Sequence, residues 1–234
     1  TGITNQAVTF AANTTTAQVV NATIVNDNKV ETNEVYNVAI GTLNASGRNV
    51  TLGTSTGTGT INNDDSAIVT LSGGGAANEG NSGTTSRVFT ATLNNPVQGG
   101  FTLPYTTNDG TATTADNDYV DNDGPALSFA GTMGEAKMIT VLINGDFKVE
   151  ANETFTVALG AITGAPAGVT TAGSPQTGTI NNDEVDWGDG PDSLPTLSFN
   201  NGARHNTILG FQLGASIDGD PDGQSTGGTH DNLA

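Results

Sequence analysis

Apolar residues along this chain fall in short runs separated by turn-forming residues. Runs at 67–72, 87–93, 100–106, 126–129, 137–143, 154–159 and 178–181 have strand length and are bounded by Gly, Asn, Asp, Ser or Pro. Two of them alternate cleanly. In FTATL, Phe89, Ala91 and Leu93 share one face, and in TFTVAL, Phe155, Val157 and Leu159 do. No stretch of convincing length carries helical periodicity. The pattern predicts an all-β chain, with about seven strands in residues 66–184 folding as an antiparallel β-sandwich. Val8, Phe10, Val19, Val20, Ile24, Val38 and Ile40 carry the same patterning into the first 65 residues.

The chain also repeats itself. Asp27, Glu31, Glu34, Gly59, Thr60, Ile61, Asn62, Asn63 and Asp64 recur 119 positions later as Asp146, Glu150, Glu153, Gly178, Thr179, Ile180, Asn181, Asn182 and Asp183, with no gap needed between them. An unbroken offset marks two copies of one folded unit. Residues 1–65 align with 120–184, so the expected organisation is a C-terminal half-module (1–65), a complete module (66–184) and a segment of different texture (185–234). The first copy has no counterpart of residues 66–119, so it is expected to expose strand edges and apolar faces. If the chain is a plain fragment, that half is frayed and protease-sensitive. If a strand from a neighbouring copy completes it, the same contact repeated head to tail builds a filament.

Composition narrows the partners. The 234 residues hold 24 Asp+Glu against 6 Lys+Arg, a net charge of −18, with 32 Gly and no Cys. Nucleic acid and anionic membrane are disfavoured, because both need clustered Lys and Arg. Disulfides and thiolate chemistry are excluded, and no run approaches the roughly 20 apolar residues of a membrane span. Carboxylates at such density either serve solubility or bind a divalent cation. The chain starts without Met or a signal-peptide pattern, which reads as an internal start.

The Glu79-Gly80 pair, the block YTTNDGTATTADNDY, a Leu-x-Phe before Gly, the block GDFKVEANETF and the closing TGTINNDE together resemble the Calx-β domain family. That family is named for the cytosolic sensor modules of sodium–calcium exchangers and is widespread in large bacterial surface proteins. The resemblance covers all of the second copy and the latter half present in the first. It implies tandem Calx-β-like sandwiches and calcium as the ligand. Residue by residue, it carries the ligand positions onto Glu79, Asp118, Asp146, Glu150, Glu153, Asn182, Asp183 and Glu184. Two departures stand out: Gly145 and Asn182 occupy places where high-affinity members often have Asp. In the first copy only Asp27, Glu31, Glu34, Asp64 and Asp65 remain of the set, so any metal there is expected to bind more weakly.

The chemistry of these residues agrees with calcium, which takes six to eight hard oxygen ligands at flexible geometry. The competing reading is that Asp, Asn and Gly in such loops only make turns and cap backbone groups. It is the preferred reading for Asp109 in NDGT. Residues 185–234 hold Trp187 and both histidines, and resemble the opening of a GEVED-type module of bacterial surface proteins through GDGPDS, NGARH and LGASIDGDPDGQ. Within them, Asp218, Asp220 and Asp222 read equally as a calcium loop or an acidic linker, and His205 as a packing or hydrogen-bonding residue.

No hydrolase, metalloprotease, phosphate-loop or dinucleotide motif is present. Paired Glu150 and Glu153 could imitate a glycosidase acid and base, but a loop tip crowded with further acids suits metal better. The expected function is a calcium-binding structural repeat region of an exported bacterial cell-surface adhesin or filament protein, without enzymatic activity. The expected partners are calcium, with neighbouring copies of the chain or a cell-surface or matrix ligand. The alternative is a non-catalytic glycan- or protein-binding region of a secreted hydrolase.

Overall fold

The computed structural model describes residues 6–187 and 204–206. Among the described residues there is no helix, and fifteen short strands form five sheets. None of the described residues forms a helix long and apolar enough to cross a membrane.

The main body is a sandwich built from residues 67–181. One sheet has the order β12 (Val169–Ala172), β3 (Ala67–Gly73), β5 (Thr84–Leu93), β10 (Ala136–Asn144), β8 (Tyr119–Val120). The other has the order β4 (Gly75–Asn78), β13 (Gln176–Asn181), β11 (Glu153–Leu159), β7 (Tyr105–Asp109). A small pair, β6 (Phe101–Leu103) with β9 (Leu127–Phe129), closes one flank. The alternation read from sequence sets the inward faces: Phe89, Ala91 and Leu93 on β5, and Phe155 and Val157 on β11, are fully buried. Phe89 meets Phe155 edge-on across the sheets, with ring centroids 6.0 Å apart, and Tyr119 stacks on Phe155 at 4.8 Å.

All seven expected strands are present, with additional short ones between them. The cause is a change of sheet in mid-run. β3 leaves the first sheet at Gly73–Gly74, both at positive φ, and continues as β4 in the second. A side chain at Gly74 would put its Cβ 2.5 Å from the Thr177 carbonyl oxygen and 2.6 Å from the Phe89 ring, so only glycine passes there. β12 and β13 make the same crossing alongside, which produces two parallel pairs, β12 with β3 and β13 with β4, in an otherwise antiparallel sandwich.

The first copy folds only in part. β1 (Glu34–Ala39) and β2 (Thr56–Ile61) pair as the counterparts of β11 and β13. Tyr36 lies over Gly59, as Phe155 lies over Gly178. Val19, Val20 and Ile24 carry strand patterning, but residues 17–25, the counterpart of β10, form no strand. In the second copy β10 is held by β5 along nine residue pairs, and residues 1–65 contain no stretch equivalent to β5. Phe10, Val19, Val25, Val35 and Ile40 are accordingly exposed.

One residue of the first copy does reach a core. Val30 is fully buried and belongs to the apolar cluster of the second copy. Its N–H donates to the Pro96 carbonyl and its own carbonyl accepts from Gln98 N–H, both at 2.9 Å, forming a parallel bridge with Val97. Of residues 185–234, only β14 (Val185–Trp187), paired antiparallel with β15 (Arg204–Asn206), lies among the described residues. The acids Asp218, Asp220 and Asp222 lie outside them.

Candidate metal centre

Strand ends deliver the acidic residues to one tip of the sandwich. Glu79 directly follows β4, Asp118 directly precedes β8, Asp146 follows β10, Glu153 opens β11, and Asn182–Glu184 follow β13. Each sits where an inward-facing strand run stops, so carboxylates are carried in by the same backbone that buries the core. Glu79, Asp118 and Glu184 are buried, at 4%, 5% and 3% exposure.

Two groups of carboxylates converge there. Oxygens of Glu79, Asp183 and Glu184 lie within 4.8 Å of one another, and so do oxygens of Asp116, Asp118 and Glu150. Glu153 hydrogen-bonds to Asp118 and adjoins the second group, while Asp146 faces Glu79 and Glu184 electrostatically. Burial, followed by repulsion from Glu184, Asp146, Glu150 and Asp183, pushes the Glu79 carboxyl up to about 8. Burial and then Asp118 push Glu153 up to about 7. Glu184 is raised as well, chiefly by burial.

The backbone around the tip is fixed by side-chain acceptors. Asn182 Oδ1 accepts from Glu150 N–H at 2.7 Å, Asp183 Oδ1 from Gly80 N–H at 2.9 Å, Asp146 Oδ1 from Lys148 N–H at 2.7 Å, and Asp118 Oδ2 from Thr113 N–H at 2.6 Å. Asn182 thus performs structural work with the oxygen that a ligand would use. Gly145 has a steric reason of its own: a Cβ there would fall onto the Gly80 carbonyl oxygen and sit 2.8 Å from that of Glu79. An Asp at this place cannot fit without displacing the Glu79 loop.

Asp116 is the residue the sequence reading missed. It stands two before Asp118 in ADNDY, and Asn117, at φ 70°, turns the chain between them. That acid-x-acid spacing across an Asn turn was the available signal. Asp116 is also held by a cation already present, since Lys148 Nζ lies 2.6 Å from its Oδ2 and pairs with Glu150 as well. These two partners, Asp116 first, raise the lysine above its ordinary value.

The first copy repeats the loop but not the convergence. Lys29 N–H donates to Asp27 Oδ1 at 2.9 Å, Glu31 N–H to Asn63 Oδ1 at 2.8 Å, and Lys29 Nζ pairs with Glu31 at 2.8 Å. Asp27, Glu31, Glu34, Asp64 and Asp65 line one open groove. Among the described residues, they supply no three-carboxylate group as close as those of the second copy. Asp109, read as a turn residue, accepts from Tyr119 Oη at 2.6 Å and Thr114 N–H at 3.1 Å.

A tip of this kind offers hard anionic oxygens in irregular loops, several of them desolvated, which suits a large divalent cation better than an acid–base pair. Glu79, Asp183 and Glu184 would hold one ion, and Asp116, Asp118, Glu150 and Glu153 are placed to hold another.

No curated protein matches the chain. Solved structures similar to it include the apo-form Calx CBD1 domain, at 23% identity over 51% of this chain and 100% of that one, TM-score 0.43. The calcium binding domain CBD12 of CALX1.1 matches at 21% identity over 53% of this chain and 49% of that one, TM-score 0.38. The Calx CBD2 domain matches at 17% identity over 48% and 83%, TM-score 0.35. The Calx-beta domain family model matches residues 3–66 and again 62–184. With most of its length matched in two consecutive segments that coincide with the internal repeat, the chain belongs to the Calx-beta domain family.

Proposed function

We propose that this chain is a calcium-binding structural repeat region of an exported bacterial cell-surface adhesin or filament protein, in which calcium stiffens the loops and the joints between modules. The observation that carries the reading is the burial of Glu79 and Glu184 beside Asp183 at one tip, with oxygens within 4.8 Å. Desolvated like charges at that spacing are costly, and a divalent cation offsets the cost. Family membership supports the same ligand. The net charge of −18 and the spacer-free joint between the two copies support a soluble, extended, non-catalytic array. Tension-bearing reach is what such an array offers a cell surface.

Thermal unfolding in calcium and in chelator tests the metal. At about one hundred times its dissociation constant, a bound ion adds ~2.7 kcal/mol of stability. For a domain of this size that is on the order of 10 °C in melting temperature. Glu79→Ala with Glu184→Ala removes the part of the rise due to the ion beside Asp183, Glu150→Ala with Glu153→Ala removes the part due to the other, and identical wild-type curves in calcium and chelator would end the proposal.

A further inference from the structure

Both copies carry the same two asparagines, 30 residues apart and tied to each other. In the first copy Asn33 Oδ1 accepts from Asn63 N–H at 2.9 Å, and Asn63 Oδ1 in turn accepts from Glu31 N–H at 2.8 Å. In the second copy Asn152 Oδ1 accepts from Asn182 N–H at 3.2 Å, and Asn182 Oδ1 from Glu150 N–H at 2.7 Å. A loop asparagine ordinarily bonds its own turn, within a few residues. These bonds span 30 and 32 residues, so each pair ties the loop ahead of β1 or β11 to the chain leaving β2 or β13.

The relay ends on one peptide unit in each copy, Val30–Glu31 and Val149–Glu150. A peptide unit is planar, so holding its N–H also aims its carbonyl. In the first copy that carbonyl, of Val30, accepts from Gln98 N–H at 2.9 Å, and the buried Val30 side chain joins the two bodies. In the second copy the held N–H is that of Glu150, whose carboxylate lies within 4.8 Å of those of Asp116 and Asp118. The relay is present in the first copy without a three-carboxylate group as close among the described residues, so it is not a by-product of the acidic tip.

We propose that Asn33 and Asn152 are positioning residues, each setting its loop through the partner asparagine. Asn33 seats Val30 in the second body, and Asn152 holds Glu150 toward the cation of Asp116 and Asp118. An amide suits the task, because it supplies an acceptor oxygen without adding charge to the tip. The Asn152 assignment rests on the calcium reading; the Asn33 assignment does not.

Calcium titration of the full chain tests the second copy, and amide exchange of Gln98 in chelator tests the first. Asn152→Ala weakens calcium binding by about fivefold, the effect of one lost hydrogen bond, while Asn152→Asp, which keeps the acceptor oxygen, binds at least as tightly as wild type. Asn33→Ala accelerates exchange at Gln98 while β5 and β10 keep their protection, and Asn33→Asp restores it. Unchanged calcium affinity in Asn152→Ala beside a lowered metal-free melting temperature would make Asn152 a packing residue and overturn its assignment, as would an equal loss in Asn152→Asp. Unchanged Gln98 exchange in Asn33→Ala overturns the assignment of Asn33. If wild type binds no calcium while Gln98 still responds, the calcium reading fails and the Asn152 assignment with it, and Asn33 stands.

Discussion

Lys148 places its ammonium 2.6 Å from the Asp116 carboxylate, in the midst of the acids that are placed to hold a second ion. The lysine is half-exposed, so it can swing out to water, and its ion pairs contribute little to stability by themselves. It is a tethered competitor for whatever cation the tip receives.

Replacing Lys148 with Met is therefore expected to strengthen calcium binding, by roughly fivefold for about 1 kcal/mol of competing ion pair. Calorimetric titration reads it. Weaker binding in the variant would mean that the lysine instead orients Glu150.

The raised carboxyls set opposite pH trends for the metal-free and metal-bound protein. Glu79 and Glu153 titrate near 8 and 7 when folded, above the ordinary 4.5. Between those values the folded state binds more protons than the unfolded one, so this contribution is complete below about 4.5 and is lost as pH rises through 7 and 8. In chelator, the melting temperature should fall from pH 5.5 to pH 8.5. Calcium must displace those protons, so its affinity should climb over the same interval. A metal-free protein that grows more stable with pH would contradict the burial of these acids.

Adding charge is not always adding a ligand. Gly145→Asp restores an acid often found in high-affinity relatives of the fold, yet here its Cβ meets the Gly80 carbonyl. The expected result is a loss of about 1–3 kcal/mol in denaturant unfolding and no gain in calcium affinity, because the Glu79 loop is pushed away.

Val30→Ala should destabilise the second copy although the residue belongs to the first. Val30 is fully exposed to that core's packing and not to solvent, so its truncation removes buried methyls and leaves a cavity worth about 2 kcal/mol. Thermal unfolding followed at Tyr105 and Tyr119, both in the second copy's core, reports it. Unfolding there that ignores the substitution would show the joint to be loosely seated.

Strand alternation was legible because Phe89, Leu93, Phe155 and Val157 follow the two-residue period that a half-buried strand imposes. The acidic tip was legible because its members flank those strands. Two things were not. Val19, Val20 and Ile24 carry strand patterning without forming a strand, because local pattern cannot tell whether a partner exists, and β10 depends on β5 for its hydrogen bonds. The role of Val30 has no local signal, since only the neighbouring body's Pro96, Gln98 and Gly168 reveal what it touches.

The change of sheet at Gly73–Gly74 also decides how the body would carry a load. Because β3 and β4 run parallel to β12 and β13, the chain enters beside Val169, at Ala67, and leaves beside Asn78, at Asn181. Pulling these two points apart slides the first and last strands past each other along their length. Rungs in both sheets are then strained together rather than opened in succession, and the two glycines that cost conformational entropy on folding become the place where force crosses from one sheet to the other.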